Sequence, residues 1–85
     1  MSIAKIAAGY EGTISNTSGK QMTITAVDLA AVPAVGDRLL KVSGDNITIS
    51  GVTVNGVATP LKWVRKTVGG VDGFYVIAGT IFSVW

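Results

Sequence analysis

The chain has 85 residues, no cysteine and no histidine, and its seven basic and five acidic side chains give a net charge of +2. The usual zinc sites, thiol chemistry and imidazole acid–base catalysis therefore lack their side chains, and we expect no metal, no cofactor and no enzymatic activity. Only 14% of the residues are charged, against roughly 25% in an average soluble domain. We therefore expect one small domain over residues 1–85, with part of its surface covered by another protein.

The sequence of the N-terminus and the short length of the apolar runs do not favour a membrane protein. No run approaches the ~18 apolar residues of a spanning helix. Lys5 interrupts the short apolar stretch at the start of the chain, so no signal peptide is expected. These features predict a cytoplasmic or virion-associated protein without a membrane partner.

The first third of the chain predicts a β-hairpin. Apolar and polar residues alternate in residues 4–14 and again in residues 20–27, and a turn cluster lies between them. Residues 28–32 are expected to form at most one short helical turn, because Asp28 is a good N-cap and Pro33 limits any helix that follows.

The middle of the chain contains the clearest strand signals. A third strand is predicted at residues 38–42, followed by a two-faced stretch at residues 46–57. The apolar parity of that stretch changes at Ser50 and Gly51, which predicts a β-bulge at Gly51. Residues 55–56, Asn-Gly, predict a type I′ hairpin turn.

The C-terminal third predicts two further strands. Residues 57–68 are predicted to form the first, with Pro60 favouring an edge position or a bulge. A glycine-rich loop at residues 69–73 leads to the last strand at residues 74–85. The last strand is apolar on both faces, as in a sandwich centre, a closed barrel or a protein interface. Its candidate interface residues are Tyr75, Ile77, Ile81 and Trp85.

Together these elements predict an all-β fold of about six antiparallel strands, forming a small barrel-like or bent-sheet sandwich. The phrases T-I-S and T-I-T hint at an internal repeat. Any β protein rich in threonine and isoleucine produces such phrases, so a solenoid is not predicted.

The leading functional hypothesis is a non-enzymatic structural or assembly module, either a homo-oligomer or a protein docked on another structural protein, with no small-molecule substrate. In composition, the chain resembles the minor structural components of bacteriophage particles, a resemblance that rests on no motif.

The alternative is a single-stranded nucleic-acid-binding barrel in which a base stacks on Trp63 while Lys62, Arg65 and Lys66 contact phosphates. In a regular strand, however, Trp63 and Arg65 share one face and the two lysines the other. An edge strand with protective lysines is therefore the competing interpretation. A third hypothesis, carbohydrate binding, uses exposed aromatic rings. Its candidates are Tyr10, Trp63, Tyr75 and Trp85.

Overall fold

The computed structural model describes residues 1–78, and within this part the protein has ten β-strands and no helix. The all-β class is thereby confirmed. The strands are Ser2–Ile3 (β1), Thr13–Asn16 (β2), Met22–Ile24 (β3), Val27–Leu29 (β4), Arg38–Gly44 (β5), Ile47–Ile49 (β6), Val52–Val54 (β7), Val57–Ala58 (β8), Lys62–Val68 (β9) and Val71–Ile77 (β10).

The strands form three sheets instead of one bent sheet or a closed barrel. Their orders are β1-β3-β6, β2-β5-β10-β9 and β4-β7-β8. The pairs β1-β3, β3-β6, β2-β5 and β4-β7 are parallel. Only the pairs formed by β8, β9 and β10 are antiparallel among the described residues. The prediction of an antiparallel architecture was therefore wrong for these four parallel pairs.

The parallel pairs arise because the chain winds in coils. Met22 pairs with Ile47 and Val27 pairs with Val52, so residues 25 positions apart lie side by side in two different sheets. One coil passes through β2, β3 and β4, and the next passes through β5, β6 and β7 in the same order. This is the geometry of a short β-solenoid, which the sequence reasoning did not predict.

The coils share a five-residue segment at the junction between two sheets. The segments are S-I-A-K-I at residues 2–6, T-I-T-A-V at residues 23–27 and T-I-S-G-V at residues 48–52. Their second residues stack directly, Ile3 on Ile24 on Ile49. Their fifth residues stack likewise, Ile6 on Val27 on Val52. The T-I-T phrase and the second T-I-S phrase are thus equivalent positions of successive coils.

The corner of the coil also explains the change of apolar parity. Ser50 and Gly51 connect β6 to β7, which belong to different sheets, so they form a corner and not a bulge within one strand. Because the chain changes direction at this corner, the inward-facing residues are odd-numbered in β6 and even-numbered in β7. The Asn55-Gly56 turn between β7 and β8 is as predicted, with φ angles of 51° and 83°.

The predicted N-terminal hairpin and helical turn are both replaced by solenoid strands. Residues 4–14 and 20–27 do not pair antiparallel, because β1 and Ile6 instead lie parallel to β3 and β4. Asp28 lies in β4, where its Oδ1 accepts hydrogen bonds from the Thr53 hydroxyl at 2.6 Å and the Gly56 N–H at 2.9 Å. These bonds to the next coil hold the segment extended.

The interior of the coils is apolar and is closed at one end by the β9–β10 hairpin. The hairpin turn consists of Gly69 and Gly70 alone, both with positive φ, so the predicted loop at residues 69–73 is shorter than expected. Leu61 and Trp63 pack against the core from this end. The buried apolar residues are Ile6, Met22, Ile24, Val27, Leu39, Leu40, Val42, Ile47, Ile49, Val52, Phe74 and Val76.

One coil corner is held by a buried amide. Asn16, only 3% exposed, donates from Nδ2 to the carbonyls of Lys20 at 2.8 Å and Asp45 at 3.0 Å. Its Oδ1 accepts from the Ser18 hydroxyl at 2.8 Å. The amide thus satisfies backbone carbonyls of two successive coils, as a buried polar group requires. No helix that could cross a membrane is present in residues 1–78.

Candidate functional site

The predicted interface of the last strand is described for two of its four residues. Tyr75 is only 4% exposed, and its hydroxyl donates to the Val71 carbonyl at 2.8 Å. Ile77 is half-buried. Ile81 and Trp85 lie outside the described residues. Of the two described residues, Ile77 is therefore the more accessible.

The predicted nucleic-acid residues of β9 lie on opposite faces, as the alternation indicated. Trp63 packs against the core, on the same face as Arg65, whereas Lys62 and Lys66 are exposed on the other face. The structure therefore does not assemble the four into one groove around Trp63. In the described sheet β9 is an edge strand that pairs with β10, which matches the competing interpretation.

Arg65 is occupied by an ion pair on the inner face. Its Nε lies 3.1 Å from Asp72 Oδ1, and a terminal nitrogen lies 2.7 Å from Asp72 Oδ2. This bidentate hydrogen bonding lowers the pKa of Asp72 and raises the pKa of Arg65 from their ordinary values. The Arg65 guanidinium is thus hydrogen-bonded within the β9–β10 hairpin.

The carboxylates of Asp28 and Asp37 also have structural partners. The hydrogen bond from the Thr53 hydroxyl, followed by that from the Gly56 N–H, lowers the pKa of Asp28 below its ordinary value. Asp37 accepts the Ala34 N–H at 2.8 Å and fixes the turn before β5. Within residues 1–78, no three histidine, cysteine, aspartate or glutamate side chains are grouped as a metal site would need.

The aromatic residues considered for carbohydrate binding occupy three different settings. Tyr10 is exposed in the loop before β2, Trp63 covers the core, and Tyr75 is buried. Trp85 lies outside the described residues. The three described rings therefore do not form one stacking platform.

An apolar groove lies beside Ile77, at the end of the sheet where β9 begins and β10 ends. The lining residues are Pro33, Val35, Pro60, Leu61, Lys62, Val76, Ile77 and Ala78. Val35 is 66% exposed, although it is a large aliphatic side chain. The turn before β5 and the segment before β9, which are distant in sequence, form its two sides. Local alternation could not predict this surface.

A second surface was missed by the sequence reasoning. The register places Lys66 beside Gly73 and Gly73 beside Lys41, while Tyr75 lies beside Arg38. Because paired residues point to the same side of a sheet, these cations share the outer face with Lys62. We call Arg38, Lys41, Lys62 and Lys66 the basic face.

An irregularity in the pairing of β5 with β10 places the two cations of β5 on the same side of the sheet. Leu39 has no partner in the β5–β10 register, which passes from Leu40 directly to Arg38. Leu39 and Leu40 are both buried, and Arg38 and Lys41 consequently lie on the same outer side. Only the two lysines of β9 were predictable as neighbours from alternation.

Comparisons of the chain with protein-family models, with curated proteins and with solved structures found no match. The two surfaces just described are therefore the features from which a function can be inferred.

Proposed function

We propose that this protein is a non-enzymatic structural module that self-associates through the apolar groove beside Val35. The observation that carries the proposal is the exposure of Val35 next to Pro33, Pro60 and Ile77. Exposed apolar surface of this kind is typical of protein contacts. The occupant we propose is a second copy of the chain.

The edge of the sheet is less suited to this contact than the groove. Lys62 and Lys66 project from β9, and lysines on an edge strand oppose pairing with another strand through mutual charge repulsion. Apart from Lys62, the described residues that line the groove are apolar, so a copy that docks there contacts mainly apolar side chains. We therefore place the interface at the groove.

The hydrogen bonds that three of the aspartates accept support a non-enzymatic role. Asp28, Asp37 and Asp72 accept hydrogen bonds that fix turns or the β9–β10 hairpin. Carboxylates used in this way stabilise the backbone and are not aimed together into a cleft. Membership of a larger assembly, such as a bacteriophage particle, is supported by composition alone.

Sedimentation velocity of the purified chain at micromolar concentrations tests the proposal. We expect an oligomer, and we expect Val35→Lys to weaken association at least tenfold because a charge in an apolar contact must be desolvated. Val57→Lys is the matched control, because Val57 is 67% exposed but does not line the groove.

Circular dichroism verifies that both variants keep the β fold. A monomeric wild-type chain at these concentrations, or equal loss of association in the two variants, would contradict self-association through the groove.

A further inference from the structure

We propose that the basic face binds the phosphate backbone of a nucleic-acid duplex. Lys62 borders the groove, but Arg38, Lys41 and Lys66 lie outside it, and the proposed binding does not depend on self-association. The basic face contains four of the seven basic residues of the chain. It also differs from the predicted nucleic-acid site, since Trp63 and Arg65 point to the opposite side.

The four cations form two columns with β10 between them. Arg38 and Lys41 lie on β5, and Lys62 and Lys66 lie on β9. Neighbouring strands are about 4.8 Å apart, so the two columns are separated by roughly 10 Å. Arg38, Lys62 and Lys66 are exposed and Lys41 is half-buried, so their charged ends are available to a ligand.

The charge of this face is not neutralised within the described chain. The ion pair found in residues 1–78 joins Arg65 to Asp72 on the inner face, and none of the four cations takes part in it. Lys66 instead lies over the Tyr75 ring, with Nζ 5.9 Å from the centroid. A face with four cations that form no ion pair within the described residues is complementary to a regularly spaced polyanion.

The setting of Tyr75 favours a duplex over a single strand. Single-strand binding relies on exposed aromatic rings that stack with bases. Tyr75 lies between the two columns, but it is buried and its hydroxyl is bonded to Val71. The basic face thus offers cations without an aromatic ring on which a base could stack. Two columns of cations suit the two phosphate backbones that flank the minor groove of a duplex, which is about 6 Å wide.

Fluorescence anisotropy with a labelled duplex of about 20 base pairs tests the proposal, over salt concentrations of about 50 to 200 mM. Each phosphate contact contributes about −0.9 to the slope of log K against log salt, so four contacts predict a slope of about −3.6. In the double variant Lys41→Gln, Lys66→Gln we expect a slope of about −1.8 and at least tenfold weaker binding at low salt.

The double variant Lys5→Gln, Lys20→Gln is the matched control. It removes the same charge from residues outside this sheet, and it should bind within twofold of the wild type. Lys41 and Lys66 do not line the groove, so sedimentation of the Lys41→Gln, Lys66→Gln variant should equal that of the wild type, which separates this proposal from the proposed self-association.

Three results would overturn the proposal. One is an equal loss of affinity in the control variant, which would indicate nonspecific attraction. Another is tighter binding of the corresponding single strand. The third is an absence of duplex binding at low salt. If the protein then binds phosphatidylcholine vesicles containing about a quarter phosphatidylserine, the basic face recognises anionic lipid and not nucleic acid.

Discussion

Replacement of Gly44 by alanine is expected to lower the free energy of unfolding by about 3 kcal/mol or more. Gly44 has a φ of +90°, a region that strains any residue with a side chain. A Cβ at this position would also collide with the backbone carbonyl of Asn16 in the preceding coil. Since Gly44 pairs directly with Asn16, the collision separates two coils at the corner that the Asn16 amide holds.

Gly19→Ala provides the control for this prediction. Gly19 has a similar φ of +80°, but a Cβ there meets no atom within 4 Å. We therefore expect a loss of roughly 1 kcal/mol from backbone strain alone. Urea unfolding curves of both variants measure the difference. Equal losses would show that the coils do not approach each other closely at Gly44.

Ile24→Ala is expected to cost about 3 to 4 kcal/mol of unfolding free energy. Ile24 is 0% exposed and lies in the middle of the stack formed with Ile3 and Ile49. Truncation leaves a cavity that the neighbouring coils cannot fill without losing their own register.

The stack provides an internal comparison for this variant. Ile3 is only partly buried at the end of the stack, so Ile3→Ala should cost about half as much. Chemical denaturation of the two variants at one temperature gives the comparison. An Ile3→Ala loss as large as that of Ile24→Ala would contradict the proposed order of the coils.

Local sequence signals predicted the strands better than they predicted their pairing. The alternation located the strands that became β5 and β9, and Asn55-Gly56 correctly marked a hairpin turn. Alternation describes which side chains share a face, and it is the same for parallel and antiparallel neighbours. Direction and register depend on residues 21 or 25 positions away, which no local pattern contains.

A longer-range signal for the solenoid was present in the sequence. The pattern of a hydroxyl residue, isoleucine, two connecting residues and isoleucine or valine begins at Ser2, Thr23 and Thr48. The unequal spacing of the three copies hides the repeat from a search for one fixed period. The different lengths of the connections between coils explain this inequality.

The candidate surfaces were predictable only in part for the same reason. Alternation separated Lys62 and Lys66 from Trp63, but it could not place Arg38 and Lys41 beside them. The groove joins Val35 to Pro60 and Ile77 across three separate segments. Both surfaces depend on the antiparallel pairing of β5, β10 and β9, which joins segments that are distant in sequence.

The central claim about the fold is that successive coils lie parallel in a fixed register, and its most direct test is a disulfide between two coils. Thr23 and Thr48 are direct partners in β3 and β6, and the chain has no native cysteine. In the double variant Thr23→Cys, Thr48→Cys we expect an intrachain disulfide after mild oxidation, because paired strands bring Cα atoms within bridging distance. Thr23→Cys with Thr53→Cys, whose second site lies in another sheet, should keep two free thiols. A disulfide in the control and not in the Thr23–Thr48 pair would contradict the coil register.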